Sequence, residues 1–289
     1  MMNNQAVIVA TGHLQEGLAA ALTHFVYAHG GEITDFNQYV DTEASPKQYA
    51  SRISWSLDGF HIPHHDLQRR LDEEITAKFS VKIDVRTYLR PTKIAIMVTR
   101  ELPCLYAILL KCLSNEWYAL PSLIISNRKD LEAEAQRFNI PFFYIPVTPQ
   151  TRDSQGDLAL QVLKEHNIDL VVLAKYMQIV PPNMVSAFGQ KMINIHHSML
   201  PAFVGAKPYH QAREYGVKFI GATAHYVVDE LDQGPIIAQG MKEINHKKTT
   251  QELVMLGKSI EAEVLTKAIS LHLEHRITLS GRRTIVLDD

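Results

Sequence analysis

Between Met192 and Ile237 the chain gathers Asn194, His196, His197, Ser198, His210, His225, Asp229 and Asp232, with apolar strand-like runs on both flanks. Polar side chains near a core are costly unless they partner one another, so this density predicts a site. Asn194 and His196 stand one residue apart at a strand end, which points both side chains to one side. An amide and an imidazole so placed can both donate to one oxygen, which is what an oxyanion needs. Asp232 lies in a loop bounded by Gly234 and Pro235, from which a carboxylate can reach the strand end. Facing an imidazole, it raises the histidine pKa, orients the ring and stays available to move protons. No serine or cysteine occupies a nucleophile elbow, so covalent catalysis is not expected.

Two other chemistries compete for these residues. His196, His197, His210, His225, Asp229 and Asp232 are zinc-ligand types. No pair has the helical His-x-x-x-His spacing, however, and His61, His64 and His65 lie far off in the chain, so no metal is expected. A nucleotide site is also not expected. The loop Thr99-Arg100-Glu101-Leu102-Pro103 lacks the glycines that let a backbone approach a pyrophosphate. Gly257-Lys258-Ser259 imitates the end of a phosphate loop, but Glu252 stands where its first glycine belongs, inside a helical pattern.

The elements that must position the site follow from periodicity. Residues 5–11 read as a buried strand, and 14–28 as a helix with Leu18, Leu22, Phe25 and Val26 on one face, ended by Gly30-Gly31. Strands at 32–40 and 48–57, a helix at 64–79 and a strand at 81–85 complete a βαββαβ order. That is the split βαβ plan of a ferredoxin-like unit, assigned to residues 1–86. Pro91 marks 87–92 as a linker. From 93 to 289 strands and helices alternate, with near-continuous apolar strands at 93–98, 123–126, 142–145, 170–174 and 192–195. Helices fall at 105–113, 131–138, 156–166 and 182–188, a long one spans 249–275, and 284–287 reads as a last short strand. The fold class is therefore α/β, with a Rossmann-like, mostly parallel sheet in the second domain. The polar stretch begins at the carboxyl end of a strand, where open α/β sheets place their ligands.

Composition bounds the partners. With 289 residues, 46% hydrophobic and 21% charged, the chain has room for two globular domains. A formal charge of −2 gives no reason to expect nucleic acid or an anionic membrane. No apolar run nears the roughly 18 residues of a membrane span. The start, Met1-Met2-Asn3-Asn4-Gln5, lacks the layout of a signal peptide, and Cys104 and Cys112 read as reduced thiols, so a cytoplasmic protein is expected.

Asn-Ile-His-x-Ser-x-Leu-Pro at 194–201, followed by Gly-Ala-Thr-x-His-x-Val-x-Asp-x-Leu-Asp-x-Gly-Pro at 221–235, resembles the signature of the formyltetrahydrofolate-using formyltransferase fold. Asn-Ile-His-His-Ser, Pro-Tyr-His-Gln-Ala at 208–212 and Leu-Ala-Lys-Tyr-Met-Gln at 173–178 are similar to the formyltetrahydrofolate deformylase branch of it. That branch carries an ACT domain, a βαββαβ unit, ahead of the catalytic domain. The resemblance implies Asn194, His196 and Asp232 as the catalytic trio, the same three residues reached from chemistry. It implies that Met177, Gln178, Ile179 and Val180 line a pterin pocket, largely through their backbone. His197, Ser198, His210, His225 and Asp229 are expected around the trio as supporting groups, with His197 and His210 shaping the acceptor side.

The activity so implied is hydrolysis of 10-formyltetrahydrofolate to formate and tetrahydrofolate, with the folate as substrate and no cofactor. Transfer of the formyl group to an amine is the nearest rival, and an amino-acid-binding regulatory protein the more distant one. The ACT resemblance implies a homo-oligomer. An amino-acid effector is weakened by the turn after the first strand, where Gly12-His13-Leu14-Gln15-Glu16-Gly17 replaces the Pro-Asp-x-x-Gly of the resemblance.

Overall fold

The computed structural model describes residues 4–148, 150–151, 154–201 and 208–288, the side chain of Pro208 excepted. They form two units, residues 1–91 with 271–289, and residues 92–270.

In the first unit, β1 (Gln5–His13), α1 (Leu18–Ala28), β2 (Glu32–Asp41), β3 (Gln48–Ser56), α2 (Leu67–Leu71) and β4 (Val81–Thr87) follow the expected βαββαβ order. The antiparallel sheet runs β2-β3-β1-β4. Alternation along β1 sends Ala6, Ile8 and Ala10 into a core with Leu22, Phe25, Trp55, Leu67 and Leu71. Two boundaries differ from the periodicity reading. The first strand runs on to His13, because Gly12 and His13 still pair with Val81 and Gln48, and Gly17 at φ 80° then turns the chain into α1. The second helix is shorter, and α2 widens into a π turn over Asp72–Thr76 that keeps Ile75 inward. Gly30 closes α1 as expected, at φ 80° with its N–H on the Tyr27 carbonyl.

The second unit contains β5 (Thr92–Met97), α3 (Leu102–Leu113), β6 (Ala119–Ser126), α4 (Glu132–Arg137), β7 (Phe142–Tyr144), α5 (Gln155–Glu165), β8 (Leu170–Leu173), α6 (Pro182–Phe188), β9 (Met192–His196), α7 (Pro208–Glu214), β10 (Phe219–Tyr226), β11 (Ile236–Glu243) and α8 (Thr250–Leu273). The seven-stranded sheet runs β11-β10-β9-β8-β5-β6-β7. The five strands from β9 to β7 are parallel, and all of β8 is buried. β10 and β11, which helix–strand alternation does not reveal, add antiparallel to β9 as a hairpin. Their register sets Thr223 opposite His196 and His225 opposite Asn194.

Residues 271–289, left in the second domain by pattern alone, group instead with the first unit. They end α8 and form a hairpin of β12 (Ile277–Ser280) and β13 (Arg283–Val286). Polar contacts explain the grouping. The buried Arg52 on β3 donates from Nε to the Glu274 carbonyl (2.9 Å) and pairs with Asp35. Arg276 meets Asp35 at 3.4 Å, and Arg283 meets Asp41 at 2.6 Å. His275 sits at φ 55°, in the left-handed position usually given to glycine after a helix, with its ring 5.7 Å from that of Tyr88.

Candidate active site

Asn194 and His196 leave the same face of β9, and β10 brings His225 beside them. Asp232 comes from the loop after β10 and meets both rings. Its Oδ2 lies 3.2 Å from His196 Nδ1, and its Oδ1 lies 3.5 Å from His225 Nε2. The Asn194 amide Nδ2 is 3.1 Å from His225 Nε2 and 3.5 Å from Asp232 Oδ1. His225 Nδ1 donates to the Tyr226 carbonyl at 2.8 Å, because a carbonyl can only accept. His225 Nε2 therefore accepts from Asn194 when the ring is neutral and donates to Asp232 when it is protonated.

Two backbone features hold the carboxylate there. Asp232 adopts φ 56°, a left-handed conformation that aspartate tolerates better than most residues. Gly234 passes so close to β10 that a Cβ would stand 1.6 Å from the Tyr226 carbonyl oxygen, so no other residue fits without moving the loop. His196 and then His225 hold the Asp232 carboxyl far below the usual carboxylate range, against the opposing effect of burial. The carboxylate is thus ionised at neutral pH. His196 Nε2, on the edge of the ring away from Asp232, is buried and has no hydrogen-bond partner among the described residues.

These side chains line a cavity of about 390 Å³ together with Met177, Gln178, Ile179 and Val180, the segment expected from the resemblance. Met177 and Ile179 are exposed, and Gln178 and Val180 half-buried. The segment is pinned through its backbone, with Met177 N–H donating to Thr99 Oγ1 at 3.0 Å and Thr99 donating in turn to Asn127.

The supporting residues separate. His197 lines the cavity and stacks on His196, with centroids 4.8 Å apart and an 18° angle between planes. Ser198 is buried, its carbonyl accepting from Thr223 Oγ1 at 2.7 Å. Asp229 stands exposed at the cavity rim. His225, expected only as support, is the hub that touches Asn194, Asp232 and Tyr226. His210 departs from expectation: it is exposed on α7 and does not line the cavity, because α7 turns Tyr209 rather than His210 inward. The motif residues at 202–207 lie outside the described residues.

One group escaped the sequence reading. Lys175, just after β8 at φ 64°, lines the cavity and pairs through Nζ with Glu261 Oε1 at 3.0 Å. Glu261, on α8, is buried and accepts also from the Tyr209 hydroxyl at 2.8 Å. The helical pattern of 249–275 hides the acid among residues of ordinary amphipathic spacing. An acidic residue on the buried side of that pattern was the available signal.

A formyl transferase family model matches residues 92–269. A formyltetrahydrofolate deformylase of Synechocystis sp. is 38% identical over 289 residues, spanning 99% of either chain. The crystal structure of a formyltetrahydrofolate deformylase from Pseudomonas syringae pv. tomato matches with a TM-score of 0.93 at 34% identity, over 98% of this chain and 94% of that one. That of glycinamide ribonucleotide transformylase 1 from Symbiobacterium toebii matches at 0.64 and 32% identity, over 68% of this chain and 95% of that one.

Proposed function

This chain belongs to the formyltetrahydrofolate deformylase family, within the formyl transferases, and from that premise we propose that it hydrolyses 10-formyltetrahydrofolate to formate and tetrahydrofolate through Asn194, His196 and Asp232. The observation that carries the mechanism is the division of labour across the His196 ring. Nδ1 faces an ionised carboxylate, and Nε2 is left unpartnered, among the described residues, on a ring that lines the cavity. With a hydrogen on each ring nitrogen, His196 donates from Nδ1 to the Asp232 carboxylate and from Nε2 to the formyl oxygen.

Water attacks the formyl carbon, the new O–C bond pushes the carbonyl π pair onto oxygen, and Asp232 takes the proton released by the water. His196 Nε2–H holds the resulting oxyanion. Asn194 joins by releasing its longest contact, the 3.5 Å approach to Asp232. The tetrahedral species then re-forms its C=O bond and expels N10. Asp232, a weak base in this setting, readily gives its proton to N10, and the formic acid formed ionises to formate. The same reading makes the protein a cytoplasmic homo-oligomer that takes folate as substrate and needs no cofactor.

Incubation with 10-formyltetrahydrofolate alone, with formate as readout, tests the activity. Asp232→Asn should abolish release while folate binding stays measurable by calorimetry. Near-normal turnover in that variant would sink the assignment. Asn194→Ala should lower turnover on the order of 100- to 1000-fold, the usual cost of one oxyanion donor.

A further inference from the structure

The Lys175–Glu261–Tyr209 cluster has no part in the hydrolytic steps, yet its lysine lines the same cavity. A buried ion pair is weak ground for stability, since apolar residues of equal volume often serve as well. Lys175 is also costly by conformation. It occupies the left-handed region at φ 64°, which a residue other than glycine adopts at a penalty, and it gives up the rotamer freedom of a long side chain. Such strain at a cavity wall points to function.

The cluster is built for hydrogen-bond donors. Glu261 Oε1 receives the Lys175 ammonium at 3.0 Å and the Tyr209 hydroxyl at 2.8 Å. Gly257, one helical turn before Glu261 on the same face of α8, makes room for the phenol. A Cβ at Gly257 would stand 2.0 Å from the Tyr209 hydroxyl. This gives the glycine of the false phosphate-loop match a local reason. A buried carboxylate beside a phenol is the recognition set for an ammonium or a hydroxyl-bearing ligand. Here the chain fills it with its own lysine, which lines the cavity and pairs with Glu261, a residue outside the lining.

We propose that Lys175 is a specificity-determining residue, occupying with its own ammonium the place where Glu261 and Tyr209 would otherwise hold an amine acceptor, and so reserving the formyl group for water. The inference rests on the hydrolytic reading of the cavity. With the subsite vacated, a diamine anchored at Glu261 through one end would present its other nitrogen to the formyl carbon. The N–C bond would form, the C–N10 bond would break, and the proton lost by the amine would end on N10, giving an N-formyl amine and tetrahydrofolate.

Wild type, Lys175→Ala and the double variant Lys175→Ala/Glu261→Gln should be given 10-formyltetrahydrofolate with 1,4-diaminobutane, and N-formyl product and formate both quantified. We expect the N-formyl share to rise at least about tenfold in K175A and to fall back in the double variant. A folded K175A with the wild-type share would overturn the proposal. So would an equal gain in the double variant, which would mean that added space alone is responsible. Should K175A fold poorly, ethylammonium should restore its melting temperature or its refolding where equal sodium chloride does not, and absence of that rescue counts against the subsite. Wild type that releases no formate from 10-formyltetrahydrofolate alone would overturn the hydrolase reading instead, so the two failures are distinguishable.

Discussion

Asp232 carries two demands at once, to stay ionised and to move a proton. Its pKa lies below the ordinary value of 3.8 because His196 and His225 favour the charged form. A carboxylate depressed in the folded state contributes stability above its unfolded pKa, and loses it as pH falls from there toward the folded value. Formate release should therefore not decline through loss of the Asp232 charge between pH 7 and pH 4. A wild-type pH–rate profile with an acidic limb near pH 5 would contradict this. Gly234 makes a sharper prediction. Gly234→Ala must move the loop off the Tyr226 carbonyl, so turnover should drop about 100-fold with folding largely retained, checked by kinetics beside a thermal melt. At this scale Asn194, His196 and Asp232 were legible because an i, i+2 pair at a strand end and a Gly-Pro loop are local signals. The central place of His225 was not, since it depends on the β9–β10 register, and Glu261 meets Lys175 across 86 positions of sequence.

Among the elements, the β10–β11 hairpin matters most, because it converts a strand end into a walled site. The alternation of helices and strands made the parallel part of the sheet readable and left this antiparallel addition unread. Pairing partners lie outside any local window, and β10 is buried along nearly its whole length, so it shows little period-two pattern. Gly221 on β10 runs close to Gly240 on β11, and a Cβ there would stand 2.5 Å from the Gly240 carbonyl oxygen and 2.6 Å from Met199 Sδ. Gly221→Ala should cost about 1–3 kcal/mol by overpacking, visible as a melting shift of several degrees. Turnover should fall too, because β10 carries His225. An unchanged melt would show that the hairpin yields more easily than this packing implies.

At the scale of the whole chain, the first unit is closed by residues from the far end of the sequence. His275 is among them, and burial pushes its pKa down to about 3 from an ordinary 6.5. The folded state keeps this imidazole neutral while the unfolded chain protonates it below 6.5, so stability falls as pH drops from 6.5 toward 3. The melting temperature should be lower at pH 5 than at pH 7, and His275→Asn, which tolerates the left-handed backbone, should flatten that dependence. An equal slope in the variant would assign the effect elsewhere. The division between the units falls at Pro91 and Thr92, beside the restart of the pattern, but the return of 271–289 to the first unit was not readable, because Arg52–Glu274 and Asp41–Arg283 are contacts across more than two hundred residues. The second unit is thus an insertion within the first, and this orders events at the ribosome. With translation at roughly 5–20 residues per second, the strands β1–β4 wait roughly ten seconds or more for Glu274 and Arg283 to be made. The unit that begins the chain is therefore completed only by residues made after the whole of the second unit.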